Sequence, residues 1–291
     1  MISSASSAFY EKEAQGHALV FDSGVGGLTV VEALRALSPG TRVDYAADTG
    51  FFPYGDKKDE DLRSRLPEIA EALVTEVEPD VFVIACNTAS TLALSEVRAR
   101  LQIPVVGTVP AIKPAVRKSG TGTIGLLATP GTVRRNYTTA LIRDFAKDAD
   151  VIIHGSLELV ALAEAFARGE TPALEEFAAA QQPLFDGDIE EQMDVVVLAC
   201  THFPLVVTQL EESAPRPVRY IDSGEAIALQ TQRLLTSRKA SLGNPEKPRA
   251  IITSHPDTCP DLVKIFDRYG FGTTEQLGRV VDARSTAHSS R

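Results

Sequence analysis

Short apolar runs alternate along the chain with longer segments whose hydrophobic positions recur at helical spacing. The runs fall at 17–22, 42–48, 80–86, 103–109, 123–129, 150–155, 194–200, 218–223 and 249–254. They are rich in Val and Ile and mostly continuous rather than alternating, the pattern of strands covered on both faces. Between them, stretches such as "GLTVVEALRAL", "DLRSRLPEIAEALVTEV", "STLALSEVRARL", "VRRNYTTALIRDFA" and "EAIALQTQRLLTSR" predict helices. Strands and helices in alternation predict an α/β fold with mainly parallel sheets. "SRKASLGNPEKPR" (237–249) reads as a polar loop, and "STAHSSR" at the end has no periodicity.

A weak internal repeat runs through this pattern. In each half a strand leads into a Gly-containing turn and a helix ("ALVFDSGVGG", "TIGLLATPGT"), and a later strand ends in Ala-Cys ("VFVIACNTAS", "VVVLACTHFP"). Two related α/β units are expected, each presenting a cysteine, Cys86 or Cys200, at the carboxyl end of a strand. Ligands sit there in open parallel sheets.

Composition narrows the classes. The 291 residues are 44% hydrophobic, which is enough for one large core or two smaller ones. No apolar run is long enough to span a membrane, and "MISSASSAFYEKEAQ" lacks the pattern of a signal peptide. A net charge of −10 disfavours a general nucleic-acid surface but leaves room for a locally positive site. The three cysteines include no C-x-x-C and no zinc-finger spacing, so reduced thiols in a cytoplasmic protein are expected.

A lone strand-end cysteine is by default a small buried hydrophobe. Here Asn87 and Thr88, both N-cap formers, follow Cys86 and open a helix, whose N-terminus is expected to favour the thiolate. Cys200 is followed by Thr201, by His202 as a candidate for proton handling, and by Pro204 as a helix-starting residue. In "FDSGVGGLTV" the third glycine of a dinucleotide fingerprint is replaced by Thr29, so a Rossmann cofactor site is not expected. Those glycines are expected to let the backbone approach a small anion. Asp22 could modulate a neighbouring thiol. In "DTGFFPYG", backbone N–H groups or the Tyr54 hydroxyl could face a ligand. "ATPGT" (128–132) offers similar donors, and Cys259 is assigned no role. Two thiols at one place could form a redox pair, could supply one nucleophile with an incidental partner, or could act as opposed acid and base. The third option accounts best for the duplication, because moving a proton from one face of a carbon to the other is nearly mirror-symmetric.

The motifs "DSGVGGLTV", "ADTGFFPYG", "ACNTAS", "PVVGTVPAIKPA", "ATPGTV" and "LACTHFPL" occur in family order. With them the chain resembles the glutamate racemases of the cofactor-independent aspartate/glutamate racemase superfamily, over about residues 18 to 275. The resemblance implies two similar α/β domains related by pseudo-two-fold symmetry, with the active site between them. They would be residues 18–110 plus 221–275 and residues 111–220, with flexible tails at 1–17 and 276–291. It implies a two-base reaction in which Cys86 takes the α-proton of D-glutamate and Cys200 that of L-glutamate. Asp22 would assist the first thiol and His202 the second. Asp22, Ser23, Pro53, Tyr54, Gly55, Asn87, Thr88, Thr132, Thr201 and His202 match substrate-binding positions, and Glu164 matches a carboxylate near the second thiol. "GSLELVALAE" departs from the family by lacking its cysteine–proline and second proline. The resemblance further implies no cofactor and no metal, a homodimer, a cytoplasmic location and a role in peptidoglycan synthesis. The alternatives are an aspartate racemase, a thiol-dependent isomerase or decarboxylase, and a non-catalytic amino-acid-binding or thiol-sensing protein.

Overall fold

The structure, a computed structural model, describes residues 16–187, 192–237 and 247–278. Among the described residues ten strands form two sheets, and every strand pair is parallel. The strands β1 (Gly16–Asp22), β2 (Thr41–Ala47), β3 (Val81–Ile84), β4 (Val105–Gly107), β5 (Thr123–Ala128) and β6 (Asp150–Gly155) come first. They are followed by β7 (Val195–Ala199), β8 (Arg219–Ile221), β9 (Arg249–Ile252) and β10 (Thr273–Gln276). The larger sheet has the order β10-β9-β2-β1-β3-β4 and the smaller β6-β5-β7-β8. The α/β expectation is met.

The central strands carry the continuous apolar runs because helices cover both faces. In β1, Ala18 and Val20 enter one core cluster while Leu19 and Phe21 enter another on the opposite face. In β7, Val195 and Val197 face one cluster and Val196 and Leu198 the other. This two-sided burial is what a non-alternating parallel strand encodes. β1 and β7 are interior strands, and Ser23 and Cys200, just past their carboxyl ends, line a common cleft.

Local differences from the expected elements have physical causes. β1 begins at Gly16, inside the stretch expected as a tail, because the His17 carbonyl accepts from the Asp80 N–H and the Asp80 carboxylate accepts from the His17 N–H. The helix expected over 133–146 is split into Pro130–Val133 and Asn136–Phe145, with Arg135 extended between them at ψ 140°. The segment after His202 opens as a 3-10 turn, Phe203–Val206, before the helix Val207–Ser213. The loop expected over 237–249 has its central part outside the described residues, as do residues 1–15 and 279–291.

The middle of β2, in the interior of the larger sheet, holds a buried carboxylate, Asp44. Burial by itself would raise the Asp44 carboxyl. The His17 ring 3.1 Å away, the Arg42 guanidinium and the Arg249 N–H outweigh that and bring it down to about 2. A carboxyl held below its unfolded value stabilises the fold above that value, and the contribution disappears as pH falls through the folded one. Asp44→Asn should therefore cost up to about 2 kcal/mol near neutral pH. In urea titrations its deficit against the wild type should close as pH falls from about 4 to about 2.

Candidate active site

The carboxyl ends of β1, β3 and β7 converge on one cleft of about 320 Å³, counted with its open mouth. Cys86 and Cys200 both line it, at 6% and 7% exposure. The fold brings two cysteines distant in sequence, one from each sheet, to one place. Of the other residues singled out from the sequence, Ser23, Pro53, Tyr54, Gly55, Asn87, Thr88, Thr201 and His202 also line the cleft. Asp22, Thr132 and Glu164 lie behind it, each bonded to a residue that does.

Cys86 is itself the N-cap residue of the helix Asn87–Arg100, at φ −76° and ψ 121°. Asn87 and Thr88 belong to the first helical turn rather than capping it. The Ala89 N–H of that turn donates to the thiol, and Ser23 Oγ lies 4.0 Å from Sγ. The expected thiolate preference is nevertheless reversed. Burial and then the Asp22 carboxylate push the Cys86 thiol well above its ordinary value, and the two donors do not compensate. Asp22 is fully buried and clamps its surroundings: Oδ1 accepts from the Ser23 N–H at 2.5 Å, and Oδ2 from Thr201 Oγ1 at 2.7 Å. The second bond crosses from the first sheet to the second.

Around Cys200 the chemistry differs. His202 Nδ1 lies 3.8 Å from Cys200 Sγ, and its Nε2 lies 2.8 Å from Glu164 Oε1. Burial alone would pull the imidazole down. The hydrogen bonds to Cys200 and Glu164 overcome that and hold it well above its ordinary value, which favours the protonated ring. Glu164 is correspondingly held low: burial raises it, but His202, the Val25 N–H at 3.2 Å and Arg168 lower it more.

The glycines of "DSGVGG" are required where the two units pack together. A Cβ on Gly24 would stand 2.6 Å from Glu164 Oε1, and one on Gly26 would stand 2.6 Å from His202 Nδ1 and 2.7 Å from the His202 backbone nitrogen. They let Glu164 and His202 of the second unit approach the first unit's backbone. The Tyr45 hydroxyl fixes the same loop by donating to the Gly24 carbonyl at 2.6 Å.

The Tyr54 hydroxyl does not face the cleft. It donates to Asp48 Oδ2 at 2.6 Å, and Arg65 and Thr253 hold that carboxylate from two further sides. Of the two donor types expected from this turn, only the backbone remains available. Thr132 supports the site through a hydroxyl cluster with Thr88 and Thr129. Sequence reasoning passed over Phe52, Leu157 and Val160, apolar lining residues that looked like ordinary core or loop positions, and Arg135. That buried guanidinium donates to the Thr88 carbonyl at 2.6 Å, and only its place between two broken helices could have signalled it. Among the described residues, no three His, Cys, Asp or Glu side chains are grouped so as to hold a metal ion.

Two outcomes follow from this geometry. Glu164→Gln should lower the His202 pKa, because burial then opposes protonation with the Cys200 bond alone; an NMR titration of the ring reads this directly. The wild-type pair stabilises the fold fully below the unfolded imidazole's value near 6.5, and that contribution is lost as pH rises through the raised folded value. Gly26→Ala should prevent the two units from meeting at His202. Turnover should collapse while circular dichroism still reports folded sheets, since the clash lies at the seam and not in either core.

The Asp/Glu/Hydantoin racemase family profile matches residues 29–231. The glutamate racemase of Klebsiella pneumoniae (strain 342) is 44% identical over 259 residues, 89% of this chain and 91% of that protein. That of Brucella anthropi is 45% identical over 237 residues, 80% of this chain and 84% of that protein. Among solved structures, Escherichia coli glutamate racemase in complex with L-glutamate and the activator UDP-MurNAc-ala superposes with a TM-score of 0.86 at 40% identity. The match covers 91% of this chain and 98% of that one. With the profile spanning most of the chain and relatives this similar along nearly their whole length, the chain belongs to the Asp/Glu/Hydantoin racemase family.

Proposed function

We propose that this chain interconverts L- and D-glutamate by a two-base mechanism with two cysteine thiols. The observation that carries the reading is the meeting of Cys86 and Cys200, one from each sheet, in a single buried cleft. The full-length similarity to glutamate racemases supports the choice of substrate.

The residues divide the work as follows. With D-glutamate, the Cys86 thiolate removes the α-proton and the Cys200 thiol delivers one to the opposite face. With L-glutamate the roles exchange. Each turnover breaks one C–H bond, forms another and leaves the proton count unchanged. Asp22, beside Cys86, receives and returns the proton on the first side. His202, charged and hydrogen-bonded to Cys200, does so on the second, with Glu164 holding the ring. Asn87 Oδ1 is buried and unpartnered, an acceptor suited to the substrate's ammonium. Ser23, Thr88 and Thr201 offer hydroxyls, and the Tyr54–Gly55 turn offers backbone N–H groups, for the two carboxylates. Fixed donors stabilise the charge that develops on the α-carboxylate as the carbanion forms. The chemistry uses these side chains and no cofactor. No helix among the described residues is long and apolar enough to cross a membrane. A bacterial cytoplasmic homodimer that supplies D-glutamate for peptidoglycan synthesis fits the reading.

Purified protein incubated in D₂O should place deuterium on the α-carbon of glutamate; incorporation into aspartate alone would overturn the substrate. Cys86→Ser and Cys200→Ser should each slow racemisation by at least about 100-fold, in line with the loss of a general acid–base group. Near-normal turnover in both directions by either variant would rule out the two-base scheme.

A further inference from the structure

A second, larger cavity of about 1260 Å³, counted like the cleft with its open mouth, lies beside the cleft wall. It lies between the two units: residues 56–59, Arg63 and the helix Asn87–Arg100 on one side, residues 131–137 on the other. In a chain of net charge −10, this cavity has the opposite sign. Lys57, Lys58, Arg63, Arg134 and Arg135 line it, against Asp56 and Asp59. Part of the positive charge is spent within the protein. Lys57 pairs with Asp56 at 2.8 Å, Arg63 with Glu96, and Arg135 with Asp59 at 2.9 Å. The Lys58 ammonium and the Arg134 guanidinium have no such partner among the described residues. Arg135 is 6% exposed, and its Nε is buried without a hydrogen-bond partner.

The wall between this cavity and the thiol cleft is thin. A Cβ on Gly131, which lines the cationic cavity, would stand 3.1 Å from the carbonyl oxygen of Gly55, which lines the cleft. Two glycine backbones in contact form the partition. Beside them Thr88 lines the cleft with its side chain, while its carbonyl accepts from Arg135 on the cavity side. Gly55 belongs to the first unit and Gly131 to the second, so parting the wall takes a local separation of the units that also loosens the bonds of Arg135 to Thr88 and Asp59.

We propose that the cationic cavity is an antechamber that collects the dicarboxylate substrate as an anion before it passes the Gly55–Gly131 seam. This rests on the glutamate reading above and extends it to the route of entry. At neutral pH glutamate carries two carboxylates and one ammonium, a net anion that the chain as a whole repels. Walls of one sign around a concave space raise the local concentration of the opposite ion, and salt screens the effect.

The test uses the Lys58→Gln, Arg134→Gln double variant, neither residue lining the thiol cleft. The readout is α-proton exchange of L-glutamate in D₂O at about 10 mM and about 500 mM salt. The antechamber predicts a KM raised about 3- to 10-fold at low salt with kcat held, and a difference that closes at high salt. An unchanged KM at low salt, or a loss of kcat that persists at high salt, overturns it. Inorganic phosphate would meet the same cations, so it is added at constant ionic strength. A rise in wild-type KM that the double variant does not share supports a site on the substrate's path. A change in kcat marks an effector site and overturns the proposal. If wild-type protein exchanges no α-proton of glutamate at any concentration, the racemase reading fails instead, a result visible before any variant is compared.

Discussion

The site depends on a buried polar seam where two separately built sheets touch. Thr201 Oγ1 donates to Asp22, the Val25 N–H donates to Glu164, and Thr88 shares its hydroxyl with Thr129 and Thr132. Each bond joins a group from the larger sheet's unit to one from the smaller's. Leaving a buried donor or acceptor unpaired costs about 1–3 kcal/mol, more for a charged one. These groups therefore register the units to within hydrogen-bond tolerance, and the positions of the two sulfurs follow. Gly24 and Gly26 are part of the same constraint, since a methyl group at either would hold the seam apart.

The two halves of the site are topologically alike and electrostatically different. At Cys86 a carboxylate and burial together disfavour the thiolate, with two weak donors in opposition. At Cys200 a charged imidazole is the neighbour, itself sustained by a carboxylate. Near-symmetry of backbone thus carries an asymmetry of charge. Asp22 balances one side and the His202–Glu164 pair the other, so the cleft does not hold two bare thiols in identical surroundings.

Much of the architecture was legible before folding, because parallel strands buried on both faces write themselves as continuous Val/Ile runs. The strand-end cysteines were legible for the same reason: a polar Asn-Thr or Thr-His after such a run has no place in a core. The seam was not legible. Whether Gly26 faces an anion or His202, and whether the Tyr54 hydroxyl points at a ligand or at Asp48, depends on contacts between residues more than a hundred positions apart or on side-chain direction within one turn. The break at Arg135 was hidden as well. Residues 133–146 have helical periodicity, and only the bonds of that guanidinium to Thr88, Thr91 and Asp59 make an extended residue favourable there. The thiol's raised value was missed because a helix N-terminus was weighed without the buried Asp22 behind it.

That last point bears on how a buried, neutral thiol becomes a base. At Cys86 desolvation is the largest influence, and the Asp22 carboxylate adds to it. On the racemase reading, the substrate brings a positive charge: its ammonium, accepted by Asn87 Oδ1, enters the cleft next to both sulfurs. A cation a few ångströms away in a poorly solvated site favours ionisation far more than it would in water. The same ammonium withdraws electrons from the α-carbon and makes its proton easier to remove. Binding and activation of the base are then one event, and the burial that raises the Cys86 thiol also protects it from the oxidation and alkylation that thiolates invite.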